Sequence, residues 1–163
     1  MTPQTSIAHF TTEFHRYRDL AEKAMAQVPD DALNRVPYQD ANSIAMLVRH
    51  VSGNLRSRFT DFLTSDGEKP WRDRDSEFVE RPYARDELRA MWQASWQIVD
   101  DQLAKITDAQ LGEQITIRGV TATVHEALCR ATTHISYHVG QIVLLCRLYA
   151  TSDWASLSIP KKK

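Results

Sequence analysis

Between Val124 and Tyr149 the apolar positions fall at Val124, Leu128, Ala131, Ile135, His138, Ile142, Leu145 and Tyr149, alternating steps of four and three. That spacing keeps one stripe on one side of a long helix, from about Thr123 to Ala150. Such a helix must lay its stripe against other helices, and the four-three alternation is the seam of a bundle. The rest of the chain supplies the partners. Ile7, Phe10, Phe14, Tyr17, Ala21 and Met25 make a first stripe that ends at Pro29. A second helix opens at "DANSIAM", with Asn42 or Ser43 as cap, and carries Ile44, Leu47, Val48, Val51, Leu55, Phe59 and Phe62. A third, opened by Asp86, carries Leu88, Met91, Trp92, Val99, Leu103 and Ile106.

Two connections are long. Residues 64–84 are charged, contain Trp71 and Phe78, and separate the second and third helices. At about 3.3 Å per extended residue they reach past a helix of ~30 Å. Those helices can therefore run parallel, joined by a crossover. The two aromatics imply that the segment packs, on its own bundle or on a second subunit. "EQITIRGVTATV" reads as a small hairpin capping the bundle before the last helix. The expectation is a single all-α domain over 1–163, a four-helix bundle with a crossover and a hairpin.

The 163 residues carry a net charge of -1 and 42% apolar residues, which gives no footprint for nucleic acid. No apolar run approaches the ~20 residues of a membrane span, and "MTPQTSIAHF" lacks a signal-peptide layout. A cytoplasmic protein is expected. Cys129 and Cys146 read as buried, unreactive thiols. The cluster Arg49, Arg56 and Arg58 reads as a salt-bridged face, and Lys161–Lys163 as a solvated end.

The seam itself contains the anomaly. His138 lies on it, and His134 is four residues earlier, so both imidazoles project the same way. Buried ring nitrogens need partners. The H-x-x-x-H spacing alone is a weak signal, and a core histidine bonded to a carbonyl or water is commoner than a ligand. His50, in "MLVRHVSGN" at the edge of the second helix's apolar face, adds to it. If the second and fourth helices are neighbours, His50, His134 and His138 meet. Three nitrogens with open positions suit a divalent metal of catalytic type. Zinc ranks first by abundance; nickel, iron, copper and manganese are the other candidates. Asn54 and Gln141 lie one turn from His50 and His138, placed to orient a ligand or bound water. His9 and His15 read as exposed, and His125 as a surface residue or a contact behind a ligand. Glu126, Ser136 and Tyr137 point away from the ligand pair by helical spacing, so no general base stands out.

With these residues in place the chain resembles the DinB-like, or YfiT-like, metalloenzyme family, in its DUF1572 branch. The resemblance rests on "NSIAMLVRHVSGN" (42–54), "TDFLTSDGEKPWRDRDSEF" (60–78), "ITIRG" (115–119), "THISYHVGQIVLLCRL" (133–148) and "DWASLSIP" (153–160). "HVGQI" with an upstream histidine is its most specific part. It implies an up-down-down-up bundle and one divalent metal on His50, His134 and His138. It also implies a homodimer and, from characterised relatives, S-transfer or isomerisation with a low-molecular-weight thiol such as bacillithiol or mycothiol, or hydrolysis. Three functions compete: a metal-dependent thiol S-transferase, a metal-dependent hydrolase acting on an unknown small molecule, and a non-catalytic metal-binding stress-response protein.

Overall fold

Four helices carry the chain: α1 (Ser6–Met25), α2 (Ile44–Phe59), α3 (Arg85–Leu103) and α4 (Val124–Tyr149). A hairpin of β1 (Gln114–Ile117) and β2 (Val120–Thr123) precedes the last. The structure is a computed structural model and describes residues 5–151 and 153–159; the Lys161–Lys163 tail lies outside them.

Local chemistry sets the helix starts. Thr5 Oγ1 accepts from the amide of Ala8, and Ser43 Oγ from that of Met46, each at 3.2 Å, so Ser43 rather than Asn42 caps α2. At α4, Thr123 and Glu126 form a reciprocal capping box, with 2.8 Å from the Thr123 amide to Glu126 Oε2. Each such cap is worth about 1 kcal/mol. α3 lacks a side-chain cap. It opens at Arg85, one residue before the expected Asp86, which sits in the first turn beside Glu87 where negative charge complements the helix dipole. α2 stops at Phe59, short of Phe62, because Asp61 takes a positive φ of 49° and turns the chain. Phe62 still enters the core by stacking on Phe59 at 5.2 Å.

Contacts at the helix ends fix the up-down-down-up order. Phe10 meets His125 near one end of the bundle and Gln27 bonds Ala155 near the other, so α1 and α4 run parallel. Asp108, just after α3, accepts from the amides of Ser6 and Ile7, while Arg85 donates to the carbonyls of Met25 and Val28; α3 is therefore antiparallel to α1. Phe14 meets Phe59 at the end of α2, while Val48 near its start shares a cavity wall with Met25 at the end of α1, so α2 is antiparallel to α1 as well. The core runs through Phe14, Phe59, Trp92 and Trp96, all fully buried.

Parallel α2 and α3 need the long connection, and it packs on its own bundle. Ser57 Oγ donates to the carbonyl of Gly67 at 2.8 Å and accepts from the amide of Lys69 at 3.2 Å. Arg49 donates to the carbonyls of Ser76 and Val79. The Gly67 amide bonds the Thr116 carbonyl, joining crossover to hairpin. Arg118 and Gly119 form the hairpin turn with φ of 56° and 72°, and the Asp66 carboxylate accepts both their amides at 2.8 Å.

Candidate metal centre

Antiparallel packing brings the middle of α2 against the middle of α4. His50 there faces His134 and His138, with ring centroids 5.3 and 4.7 Å away; the α4 pair are 4.7 Å apart. One ring nitrogen from each lies within 4.8 Å of the others. Nε2 of His50 and Nε2 of His134 are 3.3 Å apart. Two nitrogens on a tetrahedral zinc, each at about 2.0–2.1 Å, would be separated by about 3.3 Å.

The outer nitrogens are held from behind. His50 Nδ1 lies 2.9 Å from Glu77 Oε2, and His138 Nδ1 lies 2.9 Å from Gln141 Oε1. A carboxylate and an amide oxygen only accept, so both rings carry their proton on Nδ1 and turn an Nε2 lone pair to the centre. His138 Nε2 is buried with no partner among the described residues, as is His134 Nδ1. Glu77 is itself fixed by Arg72, whose Nε and Nη2 donate at 2.8 and 2.9 Å.

Burial keeps the two α4 imidazoles neutral. Burial pushes the His134 ring down to about 3, aided by the neighbouring His138 and His50 rings and by the charges of Arg72 and Arg58. Burial likewise takes His138 to about 4, although its bond with Gln141 opposes the shift. Burial pushes the Glu77 carboxyl up, but the bonds from His50 and Arg72 outweigh it and the net shift is down. A neutral imidazole with an ionised carboxylate behind it is the form that ligates a metal.

Beside the histidines lies a cavity of about 180 Å³ bounded by α2, the crossover, the hairpin and α4. Asn54 lines it, as does Tyr137. The expectation that Tyr137 points away fails: its ring centroid is 4.1 Å from that of His138 and 5.3 Å from that of His134. Tyr137 is about 100° round the helix from His138 but three residues after His134, the spacing that makes helix neighbours, so its ring lies beside the pair. Glu126, by contrast, is exposed at the helix start, and Ser136 returns its hydroxyl to the Thr133 carbonyl.

The crossover supplies what sequence reasoning missed, namely Glu77, Arg72 and the Phe78 ring, whose centroid is 4.7 Å from His50. Only the aromatic content of residues 64–84 hinted at this. The other histidines stay outside. His9 and His125 are exposed, while His15, expected to be exposed, is half-buried beside Asp100 at 2.8 Å. Cys146 is buried and its thiol is pushed up to about 12, but Cys129 is only half-buried because it sits at the edge of α4's packed face. Among Arg49, Arg56 and Arg58, only Arg58 pairs with a carboxylate of the described residues; Arg56 lies over the Trp71 ring.

A family model described as "Protein of unknown function (DUF1572)" matches residues 3–163. Among solved structures, the chain is similar to a DinB-like protein, YjoA, from Bacillus subtilis. That match has a TM-score of 0.64 at 17% identity and covers 93% of this chain and 96% of the other. The likeness is one of fold. No curated protein matches the chain.

Proposed function

The chain belongs to the DUF1572 family and has a DinB-like fold, and from that premise we propose that it is a metal-dependent enzyme whose His50, His134 and His138 hold one divalent ion. The buried, unpartnered Nε2 of His138, facing two further ring nitrogens, carries this reading. A polar atom left so costs about 1–3 kcal/mol, which a bound cation would recover. Three imidazole ligands suit zinc best, with nickel, iron or manganese as the alternatives. Glu77 and Gln141 orient the ligands from behind.

When bound, such an ion lowers the pKa of a thiol or a water that reaches its open positions. We assign thiol S-transfer ahead of hydrolysis because of the cavity lining, which contains no Asp or Glu among the described residues. Glu77, the nearest carboxylate, is committed to His50 and Arg72. Bound to the ion, a thiol that starts from about 8.5 ionises more completely than a water that starts from about 15.7, so thiol transfer depends less on a nearby base. Asn54 and Tyr137 contribute polar groups to orient the substrate. The purely binding alternative gains nothing from an arginine-lined cavity beside the ligands. Exposed Tyr137, Leu144 and Leu148 lie along one side of α4, and we place the homodimer contact there.

A cobalt-substituted sample titrated with cysteine, as a small thiol, tests the assignment. The expected result is a sulfur-to-metal charge-transfer band that saturates at one thiol per chain. An unchanged spectrum at millimolar cysteine would reject thiol transfer in favour of hydrolysis.

A further inference from the structure

Part of the cavity wall beside the histidines is made of arginine. Arg58 from α2, Arg72 and Arg74 from the crossover, Arg118 from the hairpin turn and Arg130 from α4 all line it. The carboxylates that touch them are fewer. Glu68 is shared between Arg58 and Arg118, Glu77 serves both Arg72 and His50, and Asp75 meets Arg74 at 3.7 Å on the surface. Arg130 has no carboxylate partner among the described residues.

Two of these guanidiniums are incompletely used. The Arg72 side chain is 2% exposed and spends Nε and Nη2 on Glu77, leaving a buried Nη1 with no partner among the described residues. The Arg58 side chain is 12% exposed and spends Nη2 on Glu68, also leaving a buried Nη1 with no partner among the described residues. A guanidinium cannot shed its proton, so burial leaves these groups charged and short of an acceptor. A cluster built for stability alone would be matched by carboxylates. This one holds surplus positive charge at the one place where a divalent cation is also to be held, an arrangement that repels the cation unless an anion accompanies it.

We propose that the small molecule handled at the histidine site is an organic anion, whose carboxylate or phosphate group is bound by Arg58, Arg72 and Arg130. The inference deepens the metal-enzyme reading and rests on it for the reacting end of the molecule; the anion grip itself depends only on the arginines. Planar guanidiniums recognise carboxylate and phosphate with paired hydrogen bonds. At about 180 Å³ the cavity is smaller than the ~300–1,000 Å³ of drug-sized sites, so it admits a small anion or the charged head of a longer one. Burial of Arg72 and Arg58 argues against a nucleic-acid backbone, which needs its arginines on an open face. Metal and anion should favour each other's binding reciprocally.

Calorimetric titration of zinc-loaded and metal-free protein with succinate, inorganic phosphate and, as a cationic control, choline tests this. The expected result is binding of succinate or phosphate at one per chain, tighter with zinc present, and none of choline. Arg58→Met and Arg130→Ala should each weaken binding at least tenfold while zinc per chain stays unchanged; Arg130 is exposed, so its variant folds even where Arg58→Met does not. Preference between the two anions identifies carboxylate or phosphate as the recognised group. Absence of anion binding in both forms, binding unaffected by either variant, or displacement of the anion by a single-stranded oligonucleotide would overturn the proposal. Protein that binds the anion but no zinc would reject the metal reading alone; protein that binds zinc but no anion would reject this inference alone.

Discussion

Gly53→Ala is a small change whose sign depends on the carboxylate behind His50. Gly53 lies in α2, three residues after His50. A Cβ there would fall 2.1 Å from Glu77 Oε1 and 2.9 Å from its Cδ. An unrestrained glutamate would swing aside. Glu77 is restrained: its side chain is 9% exposed, Oε2 holds His50 at 2.9 Å, and both oxygens accept from Arg72. Two effects then compete. Alanine in a helix interior is favoured over glycine by about 1 kcal/mol. Displacing the carboxylate breaks a buried ion pair and leaves Arg72 uncompensated, at about 3–5 kcal/mol. The net is a destabilisation of about 2–4 kcal/mol. Zinc affinity should fall about 10–100-fold as His50 loses its orienting partner. Urea unfolding followed by circular dichroism reads the first effect, and competition with a chromophoric chelator reads the second. A variant at least as stable as the parent, with the same zinc affinity, would refute the role given to Glu77.

Acidification separates this site from one built of ordinary histidines. Two imidazoles with the usual pKa of about 6.5 would weaken zinc about 600-fold between pH 7 and 5. His134 and His138, held down at about 3 and about 4, stay largely neutral there, so the chelator assay should show a much smaller fall than two such rings impose. In the metal-free protein the unfolded chain takes up these protons near 6.5 and the folded chain resists until about 4 and 3. Stability present above 6.5 should therefore decline as the pH drops through that window; a flat denaturation midpoint from pH 7 to 4 would contradict the burial of these rings. Phe59→Ala removes a fully buried ring packed on Phe14 at 5.6 Å and should cost about 3–5 kcal/mol in urea unfolding; a loss below about 1 kcal/mol would contradict its place in the core. A disulfide reagent should modify Cys129 quickly and Cys146 only on unfolding; rapid reaction of both thiols would refute that burial.

The bundle was legible because its information is periodic. Val124 to Tyr149 repeat on a helical seam, Ser43 and Thr123 stand at helix starts, and residues 64–84 are long enough to join parallel helices. His138 was conspicuous as an imidazole on that seam, and His50 and Gln141 followed from helical geometry. Glu77, Phe78 and Arg72 were hidden, since a crossover has no period and its contacts are set only when it lies on α2. The arginine wall was hidden for a related reason. Its members come from four separate segments, and only Arg58 belonged to the cluster visible along the chain.

Purified protein, loaded with zinc and freed of excess, puts the central claim to its most direct test by elemental analysis and X-ray absorption. The three-histidine account predicts one ion per chain, with three nitrogen neighbours at about 2.0–2.1 Å, and loss of that ion in His138→Ala with helicity retained. Wild-type protein that retains no ion, or a His138→Ala variant that keeps full occupancy, would contradict it.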